Sequence, residues 1–310
     1  MILVEKDRHV RGQEPFFSAH KAYNDWFVKQ DFDSKENVFI SLGDWHHSSH
    51  PTPEEIDESM RFFNMSKIDE FFILAGNHDW SGVLKQYSIL SFRNLSNVTV
   101  IMEPCVKKIQ GKTFAFLPHY KNLKVMRDLY TKLDDEYINA DYVCYHFEDE
   151  TQGGIDISYL KGKKLGGHIH TKAKNYELPM PITSRYDERG LENGIYNLDE
   201  DKIIPVPKLI DYYDVEYDDF TVGLDKVSNI AQFPLINILN APSKSLAEEK
   251  FKDNYIHEIY VVNKKREKIR DYHGGKKTSI VDFFNNYIHD RDDLEDWSLS
   301  RLKNYIRSKE

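Results

Sequence analysis

The chain has 310 residues, of which 40% are apolar and 13% aromatic, and its formal net charge is −9. This length and composition exclude a disordered chain and leave room for one large domain and a smaller one. No signal peptide and no apolar run long enough to cross a bilayer is evident, so we expect a soluble, intracellular protein. The negative charge argues against a protein that holds nucleic acid by bulk electrostatics alone.

Short β-rich apolar runs recur along the first 150 residues, and each one leads into a polar segment. Because parallel strands end at one edge of a sheet, and ligands of α/β proteins collect there, the polar segments are candidates for one common site. The runs are ILVEK before Asp7, NVFISLG before Asp44, EFFILAG before Asn77 and YVCY before His146.

Two segments between these strands have the apolar periodicity of amphipathic helices. Apolar residues of Ser18–Lys29 recur on one face. Thr52–Asn64 starts with Thr52 as an N-cap and has Glu55 three residues later, which is the pattern of a capping box. Strands that alternate with helices predict a layered α/β domain.

The pattern of the chain changes past about residue 205. The runs PLINILN, SLAEEKFKDN and IHEIYVV predict a small β-α-β unit, and SIVDFFNNYI and SLSRLKNYI predict two amphipathic helices after the break at Gly274 and Gly275. The stretch from Lys264 to Lys277 carries seven basic and two acidic residues and is a candidate DNA or partner contact. Cys105 and Cys144 have no partner motif, so we expect neither a disulfide nor a thiolate metal site.

Five segments carry side chains that suit hard or borderline divalent metals. Each is a weak signal alone, but five in this order, each after a β-like run, predict a metal site. Oxygen and imidazole donors without thiolates suit manganese, iron, zinc or magnesium. Residues two apart in an extended segment point the same way, so each x-spaced pair can face one site. The segments are Asp7-Arg8-His9, Gly43-Asp44, Gly76-Asn77-His78-Asp79, His146 and Gly167-His168-Ile169-His170.

The series DxH, GD, GNHD, H and GHxH resembles the calcineurin-like metallophosphoesterases over roughly residues 1 to 200. The resemblance implies a four-layer α/β sandwich in which two β-sheets are flanked by helices. It also implies two divalent cations that polarise a phosphate ester and activate water. The implied ligands are Asp7, His9 and His170 for one metal and Asn77, His146 and His168 for the other, with Asp44 as the bridge and His78 as the catalytic histidine.

The segment GDWHHSSHPTPEEI is similar to the SbcD-type nucleases of double-strand-break repair, and it implies that His47 positions the DNA strand. The resemblance implies a manganese-type nuclease, with Mg²⁺, Fe²⁺ or Zn²⁺ as other candidate ions, that degrades DNA 3′ to 5′ and cuts single strands. It further implies an SbcC-like ATPase partner, a homodimer, and a cytoplasmic location in a bacterial cell or a phage-infected host. On this plan residues 1–205 form the nuclease domain, 206–273 a small α+β capping domain and 274–310 a helical partner-binding segment.

Several alternatives stay open at this point. The same metals would serve a phosphoesterase that acts on a small molecule or a phosphoprotein, and the fold could be a non-catalytic scaffold, although the full ligand set weighs against that. His78 could instead orient Asp44 or a water, and His47 could be a solvent-exposed loop residue. For Trp45 and Trp80 we expect packing beneath the metal loops, and for His119 a strand-end turn.

The chain departs from the family pattern directly before the first motif. Charged Glu5 and Lys6 stand where an apolar strand residue is usual. We therefore expect the first strand to be less deeply buried than its neighbours, and Asp7 to be less firmly held.

Overall fold

The computed structural model describes residues 1–32, 36–82, 86–120, 122–170, 173–218, 231–252 and 254–261. Met1–Tyr260 form one compact unit, and Val261–Glu310 are assigned to a second. The basic stretch from Lys264 and the two predicted terminal helices lie outside the described residues. The division at residues 205 and 273 stays a prediction. No helix in the described ranges is long and apolar enough to cross a membrane.

From Ile2 to Leu74 the described elements alternate between strands and helices, as the apolar pattern predicts, and runs of consecutive strands follow. The α-helices are α1 (Phe16–Val28), α2 (Pro53–Met65), α3 (Leu123–Tyr130), α4 (Asp135–Ile138) and α5 (Lys244–Lys250). The strands are β1 (Ile2–Glu5), β2 (Val38–Ser41), β3 (Glu70–Leu74), β4 (Trp80–Ser81), β5 (Gln86–Tyr87), β6 (Val98–Ile101), β7 (Cys105–Ile109), β8 (Lys112–Leu117), β9 (Tyr142–Tyr145), β10 (Lys163–Gly166), β11 (Gly194–Asn197), β12 (Lys202–Pro205), β13 (Ile210–Glu216), β14 (Phe233–Ala241) and β15 (Tyr255–Val261).

Six strands form the first sheet, in the order β12-β11-β1-β2-β3-β6. β1, β2, β3 and β6 run parallel, β11 pairs antiparallel with β1, and β12 pairs antiparallel with β11 at the edge of the sheet. The register places Leu3 beside Phe39 and Phe39 beside Phe71. These strands are nearly continuous apolar runs because parallel strands are buried on both faces. The three strands predicted before Asp7, Asp44 and Asn77 are confirmed.

The second sheet has four strands, in the order β10-β9-β8-β7. β8, β9 and β10 run parallel and β7 is antiparallel to β8. β9 is the strand YVCY that the sequence predicts before His146. The carboxyl ends of three parallel strands therefore meet at one edge in this sheet as well.

The two sheets share one hydrophobic core, and Phe72 of the first stacks on Phe116 of the second with ring centroids 5.9 Å apart. Helices cover the other face of the first sheet, where Phe27 of α1 contacts Phe39 and Phe63 of α2 contacts Phe71. α3 packs against the other face of the second sheet. Both cysteines are free, and Cys144 is fully buried in the shared core.

The two predicted helices are confirmed with shifts of one or two residues at their ends. α2 has the predicted capping box: the backbone N–H of Glu55 donates to Thr52 Oγ1 over 3.3 Å, and that of Thr52 donates to Glu55 Oε2 over 2.7 Å. This reciprocal pair satisfies two of the donors that a helix start leaves free. It fixes the chain directly after the segment that holds Asp44 and His47.

The expectation that charged residues loosen the first strand is wrong, because Glu5 and Lys6 are both fully buried. Glu5 is paired with Arg8 at 3.1 Å and accepts a hydrogen bond from the Tyr23 hydroxyl. Lys6 Nζ donates to the carbonyls of Ile169, at 2.8 Å, and Tyr176, at 3.1 Å. Buried charges persist when they are paired in this way. Burial raises the pKa of Glu5, and the nearby Arg8 guanidinium opposes the rise.

The third sheet contains β13, β14 and β15 in that order, with α5 between the last two strands along the chain. The predicted β-α-β unit is thus confirmed. Leu209, Tyr212 and Leu235 belong to the same core cluster as α1 and α2. One face of this small unit therefore packs on the body of the protein close to the start of α1.

Replacing Arg8 with Met should lower the free energy of unfolding by about 3–5 kcal/mol, because Glu5 would be left buried without its cation. The matched control is Lys67→Met, whose ion pair with Asp31 is solvent-exposed and which should cost less than about 1 kcal/mol. Urea unfolding followed by circular dichroism measures both. An Arg8→Met protein as stable as the control would contradict the role of this pair.

Candidate metal centre

The carboxyl ends of the parallel strands place the predicted ligands at one edge of the two sheets. Asp7, Asp44 and Asn77 follow β1, β2 and β3 of the first sheet. His146 and His168 follow β9 and β10 of the second sheet. Because the two sheets pack face to face, their ligand-bearing edges converge, and segments far apart in sequence meet there.

Asp7, His9 and His170 form one cluster, in which the candidate ligand atoms all lie within 4.8 Å of one another. The Nε2 atoms of His9 and His170 are 3.1 Å apart. The Asp7 carboxylate accepts the backbone N–H of His168 at 2.9 Å, which anchors it to the second sheet. These three residues are the set that the family resemblance assigns to one metal.

Asp44, His146 and His168 form a second cluster, again with their candidate ligand atoms within 4.8 Å of one another. Asn77 joins it, since its Oδ1 atom lies 3.0 Å from His146 Nε2 and 2.8 Å from His168 Nδ1. Asp44 Oδ2 is 3.2 Å from His146 Nε2 and 3.7 Å from His9 Nε2. Asp44 therefore lies between the two clusters, where a bridging ligand would be required.

Neighbouring groups fix which ring nitrogen of two histidines is free to bind a cation. His146 Nδ1 donates to the Leu42 carbonyl at 2.7 Å, so its Nε2 atom faces the cluster without a proton when the ring is neutral. His170 Nδ1 is held by the Glu188 carboxylate, which leaves Nε2 toward His9. Such outer partners set the tautomer and the ring orientation of metal-binding histidines.

Four of the seven candidate ligands have a left-handed backbone, which non-glycine residues seldom adopt. The φ angles are 50° at Asp7, 51° at His9, 52° at Asp44 and 76° at His168. Conformations of this kind cost about 1–3 kcal/mol each and persist where the surroundings hold them in place. They turn the side chains abruptly from the strand ends into the common site.

Glycines in the GD and GN motifs permit the close packing around Asp44. A Cβ atom on Gly43, whose φ is 105°, would overlap the imidazole of His146. A Cβ atom on Gly76 would overlap the carboxylate and the backbone nitrogen of Asp44. A side chain at either position would clash, so both motif glycines are sterically required.

Electrostatic interactions between carboxylates and imidazoles set the pKa values in the second cluster. Burial alone would raise the pKa of Asp44, but the adjacent His146 and His9 lower it well below its usual range. Burial alone would lower the pKa of His146, but the Asp44 and Asp7 carboxylates raise it to about 9. Without metal, a proton between these groups therefore takes the place that a cation would occupy.

The donor set fits two divalent cations. It contains two carboxylates, one amide and four imidazoles, and hard or borderline metals prefer these ligands. The ligand atoms of Asp7, His9 and His170 lie within 4.8 Å of one another, with the Nε2 atoms of the two histidines facing each other, as ligands of one ion would. The residues suited to hold the ions are Asp7, His9 and His170 on one side, Asn77, His146 and His168 on the other, and Asp44 between them.

His78 and His47 lie together beside the first cluster. His78 Nδ1 contacts the backbone carbonyl of His47 at 2.7 Å, and the two rings stack with centroids 5.3 Å apart. The ring of His78 also meets that of His9 edge to face, at 4.8 Å. The backbone N–H of His78 donates to Asp44 Oδ1 over 2.8 Å. The alternative role considered for His78 was to orient Asp44. The backbone N–H of His78, and not its imidazole, makes that contact.

Other residues singled out in the sequence have structural or peripheral positions. Trp45 is fully buried, stacks on Phe63 and donates to Ser59 Oγ at 2.9 Å, so the predicted packing role is confirmed. His46 is buried. His119 follows the end of β8 without a turn, and its ring lies 6.5 Å from that of His146.

Two supporting carboxylates were not identified from the sequence. Asp79 is fully buried and accepts the backbone N–H groups of Gly76 and His46, and burial with the nearby Asp44 raises its pKa to about 7. The position of Asp79 in the GNHD motif was a sequence signal that could have identified it. Glu188 is fully buried against His170, and nothing in the local sequence distinguishes it from the acidic residues around it.

Comparison with known proteins gives one family. A family model described as calcineurin-like phosphoesterase matches residues 15–172, about half of the chain. No curated protein matches. A solved structure similar to this chain is that of a protein of unknown function, AQ665 from Aquifex aeolicus, which is 15% identical. The match covers 48% of this chain and 80% of that one, and the TM-score is 0.28.

Binding of Mn²⁺ at pH 7 should release a proton, because the raised pKa of His146, about 9, keeps that imidazole protonated in the metal-free protein. Affinity should therefore rise between pH 6.5 and 8, by up to about tenfold per unit for each proton displaced. Calorimetry in buffers of different ionisation enthalpy counts the protons. Metal binding without proton release would contradict the coupled Asp44–His146 pair.

Glu188→Gln should weaken Mn²⁺ binding by about 10- to 100-fold, because the charged partner that orients His170 is lost while a hydrogen-bond acceptor remains. Glu177→Gln is the matched control, since Glu177 is exposed and should bind Mn²⁺ as the wild type does. Titration calorimetry compares the three proteins. Equal affinity in all of them would remove Glu188 from the metal centre.

Proposed function

Because the chain belongs to the calcineurin-like phosphoesterase family, we propose that it is a two-metal DNA nuclease of the SbcD type. Family membership makes it a metal-dependent phosphoesterase. We further infer that its substrate is DNA, which it cleaves as a 3′ to 5′ exonuclease and as a single-strand endonuclease. The support for this step is the segment around His47, which is similar to the SbcD-type repair nucleases.

The position of Asp44 is the main support for two metal ions. Asp44 lies between two clusters of donor atoms that come from separate loops. Its Oδ2 atom is within 3.7 Å of a nitrogen in each cluster. A single structural ion would need only one of the clusters. Manganese suits this oxygen and imidazole donor set, as do magnesium, iron and zinc.

The protein's own groups have distinct tasks in hydrolysis of a phosphodiester. When bound, the two cations would supply Lewis-acid activation of the phosphoryl group and of the attacking water. His78 has its Nδ1 atom engaged by the His47 carbonyl, which leaves Nε2 available to substrate. From there it donates a proton to the leaving oxygen or stabilises the developing negative charge.

His47 is placed to contact the DNA strand. It is solvent-exposed, yet its ring stacks on that of the His78 imidazole. Burial on one side and the nearby Arg11 guanidinium lower the pKa of His47 to about 4, so its ring is neutral at pH 7. A neutral ring beside the catalytic histidine can stack on a sugar or base, and its backbone carbonyl holds His78 in position.

The packing supports the layered arrangement of the family. Helices α1 and α2, the two sheets and then α3 follow one another through three hydrophobic clusters, which is the order of a four-layer sandwich. The small third sheet is the proposed capping domain. We further propose a homodimer in the cytoplasm of a bacterial cell or phage-infected host, and an SbcC-like ATPase that binds residues 274–310.

A phosphoesterase that acts on a small molecule or a phosphoprotein is the second candidate. The formal net charge of −9 favours it, since phosphate neutralisation by basic residues supplies most non-specific DNA affinity. Two divalent cations would add four positive charges at the site but leave the rest of the surface acidic. The choice between the candidates depends on the substrate that is cleaved.

With Mn²⁺, the purified protein should degrade linear duplex and single-stranded DNA. His78→Ala should lower the rate of cleavage by about 10²- to 10⁴-fold, because a proton donor is lost. The matched control is His50→Ala, an exposed histidine of the same loop as His47. Release of labelled nucleotides is measured beside hydrolysis of an aryl phosphodiester. If the wild type cleaves only the aryl ester, even with an ATPase partner present, the DNA assignment is wrong.

A further inference from the structure

A cavity of about 650 Å³ lies between the start of α1 and the third sheet. Its walls combine basic and aromatic side chains, and none of the seven candidate metal ligands lines it. The residues that matter for its chemistry are Arg11, Phe16, Tyr186, Tyr212 and His257. Two acidic groups, Glu14 and Asp187, also line it, and Asp187 is paired with Arg185 at 3.3 Å.

Two segments that line the cavity also carry or hold residues of the metal centre. Arg11 follows His9 by two residues, on a segment whose Val10 carbonyl accepts the backbone N–H of His47 at 2.9 Å. Tyr186 belongs to the short 3₁₀ helix Tyr186–Glu188, which ends at the carboxylate that holds His170. A ligand in the cavity therefore contacts the same two segments that carry His9 and hold His170.

Three rings in the cavity form an aromatic slot, defined here as Tyr186, Tyr212 and His257. The rings of Tyr186 and His257 are nearly parallel, at 9°, with centroids 6.3 Å apart. The ring of Tyr212 is perpendicular to both, at 86° and 82°. The three rings line one side of the cavity, and a planar base can stack on an aromatic surface of this kind.

Hydrogen bonds hold the walls of the aromatic slot in place. The Tyr186 hydroxyl donates to the Asp214 carboxylate at 2.9 Å and accepts from Arg189 at 2.8 Å. His257 Nδ1 contacts Asn237 Oδ1 at 2.9 Å. Tyr212, which closes the slot, is buried. Rings fixed in this way lose little conformational freedom when a base stacks on them.

Arg11 supplies a positive charge that no acidic side chain of the described ranges neutralises within ion-pair distance. Its Nη2 atom donates to the Ser184 carbonyl at 3.0 Å, and the guanidinium lies over the Phe16 ring at 4.0 Å. Its Nε atom is buried and has no hydrogen-bond partner in the described part of the protein. A fixed arginine with free donors is suited to a phosphate.

We propose that the cavity binds one unpaired nucleotide of the DNA substrate, next to the phosphate that is cleaved. The base stacks on the rings of the aromatic slot, and the adjoining phosphate binds Arg11. The inference rests on the proposed nuclease function and narrows its substrate to a strand with at least one unpaired base at the site. Such a slot accepts any base, because each has a π-face.

The test uses the full chain in a His78→Ala background with Mn²⁺, so that a single-stranded oligonucleotide carrying 2-aminopurine binds without being cut. Stacking should quench the 2-aminopurine fluorescence. Tyr186→Leu and His257→Ala should each weaken affinity by roughly 5- to 150-fold, the usual value for one stacked base. Tyr186→Phe keeps the ring and loses only the hydroxyl contacts that hold it, so it should weaken binding far less than Tyr186→Leu. His257 is exposed, so its variant tests the slot even if Tyr186→Leu folds poorly.

Arg11→Gln should also weaken binding and reduce the slope of log affinity against log salt by about 0.7, the value for one phosphate contact on a single strand. The subsite is wrong if Tyr186→Leu and His257→Ala bind and quench like the parent, or if the parent does not bind. Cleavage of DNA by the protein with His78 intact is scored separately. A nuclease with an unaffected slot would overturn this inference alone, whereas absence of cleavage would overturn the proposed function.

Discussion

The position of the Asp44 carboxylate is the constraint on which the rest of the centre depends. It must lie within reach of two clusters whose members come from both sheets, and it is held there by the backbone N–H of His78 over 2.8 Å. Gly43 and Gly76 leave room for this approach, and the left-handed backbone of Asp44 turns the side chain into the site. The strained loops are tolerated because a dense hydrophobic core fixes the strands beneath them.

A second layer of buried charge supports the ligands from behind. The Glu5–Arg8 pair lies directly next to Asp7, and Lys6 donates to the carbonyl of Ile169, between His168 and His170. These contacts connect the DxH segment of the first sheet to the GHxH segment of the second. Buried charge of this kind gives little net stability, but it specifies a single arrangement when every group has a partner. The metal centre and its support therefore form one network.

Much of the fold and the site could be predicted from the sequence, because both follow from local patterns. Apolar runs marked the strands, the Thr52 capping box marked the start of α2, and the motifs of five loops marked the seven donors. The burial of Lys6 and the role of Glu188 could not be predicted, since each depends on a partner more than a dozen residues away. Glu5 likewise needs the distant Tyr23 in addition to its local partner Arg8. The cavity likewise brings Arg11, Tyr186 and His257 together only through tertiary packing.

The most direct test of the two-metal centre is a crystal structure of the protein soaked with Mn²⁺, with anomalous difference maps at the manganese edge. The two-metal assignment predicts two anomalous peaks about 3.5–4 Å apart, both within bonding distance of the Asp44 carboxylate. One of them should contact His9 and His170, and the other His146 and His168. A single peak, or two peaks that do not share Asp44, would contradict it.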